Sequence, residues 1–143
     1  MVMVEKINRV NQKRKKITII GLKKSGYAAA LLGNHLGATI FVSDLSMDEE
    51  IINNRDALVN KGIDCEIGKH TNRIYDADYW VISPGVPSEV DIIKKAKKIN
   101  IPIIGEIEFA SKLTNIPIIA VTGSNGKSTT VSIMHNMLKT ENL

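Results

Sequence analysis

Short runs of β-branched and aliphatic residues recur along the 143-residue chain, each closed by a glycine- or proline-bearing turn and followed by a helical pattern. This alternation narrows the fold sharply, because parallel strands need crossover helices and those crossovers are right-handed. Strands are expected over 16–21, 39–43, 63–67, 78–83, 101–104 and 116–121, and helices over 27–36, 48–61, 90–100, 106–113 and 127–138. Apolar residues make up 43% of the chain and aromatic ones only 4%, so the core must be aliphatic, as suits a sheet covered by helices on both faces. The fold class expected is α/β, with a Rossmann-like doubly wound parallel sheet of about five strands.

The last strand-to-helix junction carries the strongest chemical signal. In IPIIAVTGSNGKSTT (Ile116 to Thr130) an apolar strand breaks into glycines and reopens as a helix at a lysine followed by hydroxyls, the layout of a phosphate-binding loop. Gly123 and Gly126 let backbone N–H groups converge on phosphate oxygens, Lys127 is placed for the β- and γ-phosphates, and the Ser128 hydroxyl for Mg²⁺. The common loop pattern has a glycine where this chain has Val121. A plain glycine-rich turn with a capping serine and a solvated lysine is the competing explanation. One strand and one helix cannot bury the Val131, Met134 and Leu138 face alone, so this unit is expected to be the opening of a truncated ATP-binding domain. The expected division is a basic, mobile or frayed extension over 1–16, a Rossmann-like domain over 17–114, and an incomplete unit over 115–143.

A second glycine turn, Gly21-Leu22-Lys23-Lys24-Ser25-Gly26, follows the first strand, with Asp44 about twenty residues on, as in a dinucleotide fingerprint. Lys23, however, stands where that fingerprint has the glycine that lets a pyrophosphate touch the backbone. A turn in which Ser25 merely caps the helix is the alternative. Asp44 ends the second strand, where a carboxylate accepts from a ribose or base edge, or else caps the next helix. Ser83-Pro84-Gly85-Val86-Pro87 ends the fourth; its prolines stiffen a loop whose glycine admits a ligand, or it is simple punctuation.

The formal net charge is +4, with basic residues gathered in the first sixteen positions and in Lys94, Lys95, Lys97 and Lys98. Without aromatic interleaving or a nucleic-acid-reading motif, these clusters predict a solvated helix face and a tail, not a nucleic-acid partner. The lone Cys65 excludes an internal disulfide and is expected to be an inert strand residue in a reducing compartment. No membrane span and no secretory signal is expected, so a cytoplasmic, monomeric protein is the expectation. His35, His70 and His135 are dispersed and predict no metal site; Glu106 and Glu108 receive no role.

Taken together, GLKKSG (21–26), VSD (42–44), ISPGVP (82–87), IPIIGEIEF (101–109) and IAVTGSNGKSTT (119–130) resemble the Mur ligases, in particular their D-glutamate-adding branch. The resemblance covers nearly everything after residue 16. It implies a first domain that holds the UDP of UDP-N-acetylmuramoyl-L-alanine, a central domain that binds ATP with Mg²⁺, and a third that receives D-glutamate. By motif position it implies Lys24, Ser25 and Gly26 at the UDP phosphates, Asp44 and Leu45 near uracil and ribose, and Ser83, Pro84 and Gly85 around the uridine. Gly123, Ser124, Asn125, Gly126, Lys127, Ser128 and Thr129 would cradle ATP, with Lys127 catalytic and Ser128 on the metal. The implied reaction phosphorylates the substrate carboxylate, and the amine of D-glutamate then displaces phosphate to form an amide. Family members usually have glycine in place of Lys23. A chain ending about one helix past the loop would lack the acceptor site and bind the UDP ligand without catalysing. Two other functions remain open: a non-catalytic nucleotide-binding module, and an NAD-binding oxidoreductase domain.

Overall fold

A computed structural model describes residues 12–113 and 117–140 together with the backbone of 2–5. The chain divides into two compact units, Val10–Leu113 and Met1–Arg9 with Thr114–Leu143. The first strand, β1 (Val2–Glu5), lies in the smaller unit. The larger unit runs β2 (Lys16–Ile20), α1 (Lys24–His35), β3 (Thr39–Asp44), α2 (Glu49–Val59), β4 (Asp64–Ile67), a 3-10 turn at Asn72–Tyr75, β5 (Tyr79–Ile82), α3 (Asp91–Lys98), β6 (Ile103–Gly105) and α4 (Glu106–Ser111). Its five strands form one all-parallel sheet in the order β4-β3-β2-β5-β6. The order reverses between β2 and β5, so the loops leaving these two strands diverge and open a crevice at their carboxyl ends.

Strand residues alternate between two cores. Ile17, Ile19, Ile40, Val42 and Val81 pack with Ala29, Ala30, Ile51, Leu58 and Phe109 of α1, α2 and α4. On the opposite face Ile20 and Trp80 pack with Ile93 and Ala96 of α3 and with Ile74 of the 3-10 turn. Trp80 is fully buried, and its indole N–H donates to the Ile74 carbonyl at 2.7 Å, so its one polar atom is satisfied. The aliphatic composition thus fills both faces of a central sheet, as expected.

Local boundaries shift for identifiable reasons. The helix expected from Tyr27 begins at Lys24, because Lys24, Ser25 and Gly26 form its first turn. The strand expected from Ile101 begins at Ile103; Pro102 has no N–H to give a ladder and contributes only its carbonyl, which accepts from Trp80 N–H at 2.8 Å. Asp48 caps α2 by accepting from Ile51 N–H at 3.0 Å.

In the smaller unit, β1 pairs antiparallel with β7 (Ile118–Val121), Val2 opposite Val121 and Glu5 opposite Ile118, and α5 (Lys127–Thr140) follows. The stretch 1–16, expected to be a mobile or frayed extension, therefore contains a strand, and at its other end Gln12 is buried and Lys16 opens β2. The short Val-Met-Val run is legible as a strand only once the edge of β7 is there to pair with it. Among the described residues, no helix is long and apolar enough to cross a membrane.

Candidate functional site

The ends of strands β2, β3 and β5 are tied to one another at the carboxyl edge of the larger sheet. Gly21 N–H donates to the Ser43 carbonyl at 3.0 Å, and Ser83 N–H donates to the Ile20 carbonyl at 3.0 Å, so the β2 exit is pinned on both sides. Gly21 has φ +104°, and a Cβ there would lie 2.6 Å from Ser83 Oγ. A Cβ on Gly26 would collide with the Gly21 carbonyl oxygen. The glycines thus permit strand, loop and helix to touch. Leu22, fully buried behind this turn, donates its N–H to Asp44 Oδ2 at 2.7 Å, and its carbonyl accepts from Asn54 at 2.9 Å. Asp44 Oδ1 accepts from Ser46 N–H at 2.7 Å, so each carboxylate oxygen ties one loop and keeps acceptor capacity for a ligand. The helix cap for α2 is Asp48, which leaves Asp44 free of that task; Ile51 N–H, with help from Ser46, holds the Asp48 carboxyl below its ordinary range.

These loops enclose a cleft of about 610 Å³ lined by Gly21, Asp44, Leu45, Gly68, Lys69, His70, Gly85, Val86, Pro87 and the start of α3. That volume suits a nucleotide-sized ligand. Gly85 lines this cleft together with Asp44 and Leu45. Ser83 and Pro84 instead line a neighbouring cleft of about 520 Å³, beside Gly105, Glu106 and Ile107. Ser83 Oγ donates to Glu106 Oε1 at 2.5 Å, which commits its only hydrogen inside the protein. Lys24 and Ser25 are exposed on the first turn of α1, while Gly26 is buried. The N-cap is Lys23, without a side-chain bond, so Ser25 does not cap the helix. The first helical bond runs from Tyr27 N–H to the Lys23 carbonyl at 2.9 Å, which leaves the preceding N–H groups outside the ladder and suited to an anion.

A polar cluster deepens the β3–β4 side. Ser43, fully buried, lies in register with Glu66 and donates to its Oε1 at 2.7 Å. Glu66 also accepts from Thr71 N–H at 2.9 Å and Thr71 Oγ at 2.6 Å, and His70 Nδ1 lies 2.7 Å from Ser43 Oγ. Burial pushes the Glu66 carboxyl up, but the donors from Ser43 and Thr71 together outweigh it and hold it below its ordinary range. Burial lowers His70 against the opposing pull of Glu66 and Asp44. Cys65 is pushed up to about 12, chiefly by burial with Asp64 adding to it, which makes it the inert thiol expected. Glu66, His70 and Glu106 were without a role in the sequence. The available signal was their position, since each lies at or just past the carboxyl end of a strand.

In the smaller unit Gly126 has φ +76° with open space around its Cα, and Thr130 N–H makes a helical bond to its carbonyl at 2.9 Å. The N–H groups of Lys127, Ser128 and Thr129 therefore precede the α5 ladder. Lys127 Nζ donates to the Gly123 carbonyl at 2.5 Å, closing the loop over itself. Residues 122–129 are all exposed, Ser124, Asn125 and Ser128 included. Positive-φ glycine, exposed N–H groups and a lysine at the rim suit an anionic ligand such as a phosphate, and the Ser128 hydroxyl is exposed beside them.

A parallel sheet reversing at a glycine turn, with an acid at the end of the adjacent strand, defines a Rossmann-like ligand-binding domain whose turn departs from the dinucleotide form at Lys23. Residues 16–92 match the MurD N-terminal domain, and the chain belongs to that family. Among curated relatives it is 40% identical over 129 residues to a UDP-N-acetylmuramoylalanine--D-glutamate ligase of Chloroherpeton thalassium, covering 90% of this chain and 28% of the relative. The protein of the same name from Listeria monocytogenes is 38% identical over 130 residues, covering 88% and 28%. The chain thus spans under a third of the length of these relatives. Among solved structures, the UDP-N-acetylmuramate-alanine ligase MurC of Thermotoga maritima aligns with TM-score 0.57 at 22% identity, over 68% of this chain and 22% of that one. SirC, a precorrin-2 dehydrogenase, aligns with TM-score 0.53 at 13% identity, over 92% and 68%. Both likenesses concern the fold.

Proposed function

We propose that this chain provides the UDP-substrate domain and the ATP loop of a cytoplasmic, ATP-dependent amide ligase that joins D-glutamate to UDP-N-acetylmuramoyl-L-alanine in peptidoglycan synthesis. The observation that carries this reading is the carboxyl-edge cleft, where the Gly21 turn, Asp44, Leu45 and Gly85 converge in a domain of the MurD N-terminal family. The unladdered N–H groups of Lys24, Ser25 and Gly26 would meet the diphosphate, with Lys23 and Lys24 adding charge. Asp44 would accept from ribose hydroxyls through its remaining lone pairs, and Leu45 would pack on the base.

On the same reading Gly123 to Thr129 hold the ATP phosphates, and Ser128 is a ligand for Mg²⁺. ATP supplies the phosphoryl group that activates the substrate carboxylate. Lys127 exchanges the Gly123 carbonyl for phosphate oxygens and neutralises charge there.

Calorimetric titration with UDP-N-acetylmuramoyl-L-alanine, UDP, ATP and NAD tests this. The UDP ligands are expected to bind most tightly, and a clear preference for NAD would overturn the reading in favour of a dinucleotide-binding domain.

A further inference from the structure

We infer that His70 presents a fixed hydrogen-bond acceptor to the ligand in the carboxyl-edge cleft, its ring tautomer set from behind by Ser43 and Glu66. The inference rests on the uridine reading of that cleft. Glu66 gathers three donors, Ser43 Oγ, Thr71 N–H and Thr71 Oγ, which is the environment of an ionised carboxylate that only accepts. Ser43 has one hydroxyl hydrogen, and at 2.7 Å it goes to Glu66. Toward His70 Nδ1, also at 2.7 Å, Ser43 Oγ is therefore the acceptor and the ring nitrogen the donor. A neutral imidazole that carries its proton on Nδ1 has its lone pair on Nε2.

Ser43 is fully buried, so Nδ1 faces the interior. Nε2 lies across the ring, and His70 lines the cleft beside Gly68 and Lys69. The group it receives must be an N–H or O–H. Phosphate oxygens offer none at neutral pH, whereas uridine offers the base imide N–H and the ribose hydroxyls. Cytidine presents a ring lone pair where uridine has the imide hydrogen, so it opposes acceptor to acceptor. His70 thereby adds a base- or sugar-reading contact that phosphate-gripping residues do not supply.

Two measurements on the full chain test this. Long-range proton–nitrogen NMR of the imidazole is expected to show the proton on Nδ1, and an Nε2-protonated ring would overturn the inference without any ligand. Calorimetry with UDP, N3-methyl-UDP, 2′-deoxy-UDP and 3′-deoxy-UDP then identifies the donor. One of the modified ligands is expected to bind roughly tenfold more weakly than UDP to the wild type, with that penalty abolished in His70→Ala. A penalty that persists in His70→Ala, or no penalty for any ligand in the wild type, overturns the role of His70 while the uridine site stands. Failure of UDP itself to bind removes the uridine reading and this inference with it.

Discussion

The two glycine turns of this protein invert each other. Gly123 to Thr129 is the stronger motif, yet its lysine bonds to its own loop and α5 has no buried residue. Gly21 to Gly26 is the weaker motif, with a lysine where a glycine would be diagnostic. Its carbonyls, N–H groups and Cα atoms are nevertheless engaged by Ser43, Ser83, Asp44 and Asn54. The contrast separates two sources of a binding site. A phosphate loop is encoded locally, by dihedral freedom and unladdered N–H groups, and needs few contacts to be recognisable. A crevice at a strand-order reversal is assembled by residues far apart in sequence and is recognisable only through them.

Substitutions can break or sharpen this contrast. If the proposed function holds, the largest effect is expected from Lys127→Ala in the ligase, on the order of a thousandfold in kcat, or about 4 kcal/mol, because on that reading its charge would act where phosphoryl charge develops. Turnover within a few-fold of wild type would refute the assigned role. Next, Gly26→Ala is expected to cost about 3 kcal/mol, since the methyl meets backbone that cannot give way. Gly126→Ala, with open space but φ +76°, should cost about 1 kcal/mol and leave the unfolding midpoint of 10–113 unmoved. Equal losses in urea denaturation would erase the difference between the turns.

Asp44→Asn should cost about 2 kcal/mol, because the amide turns a donor toward either Leu22 N–H or Ser46 N–H. An unchanged urea midpoint would show that the carboxylate does not brace the loops.

The smallest effect is the dependence on pH. His70 and Glu66 both titrate lower in the folded protein than their ordinary values of 6.5 and 4.5, so the unfolded chain takes up protons first. Stability is then fully present above 6.5, begins to fall below it through His70, and falls further below 4.5 through Glu66. Urea midpoints that rise on acidification from pH 7 to 5 would reverse the sign, and His70→Ala should flatten that upper portion.

Much of the sheet was legible from sequence because β-branched runs and glycine stops report local dihedral preference. Five strands of the larger unit and the helices α1 to α4 lie where the alternation put them, displaced by a few residues at Lys24 and Ile103. The pairing of β1 was hidden, since four residues gain strand character only from a partner strand more than a hundred positions away, with Val2 opposite Val121 and Glu5 opposite Ile118. Glu106 and Glu66 were equally opaque. A carboxylate after a strand looks the same whether it caps a helix, faces water or holds a buried serine.

The sequence by itself determined the α/β class, the likeness to the Mur ligases and the Gly-Ser-Asn-Gly-Lys-Ser turn between a strand and a helix, because each depends on residues adjacent along the chain. Only the tertiary structure decided that Ser83 spends its hydrogen on Glu106, that Asp44 braces two loops, and that Ser43 and Glu66 fix His70. Hydrogen-bond donors are assigned by distances between residues 20 or more apart, and no local pattern encodes those distances.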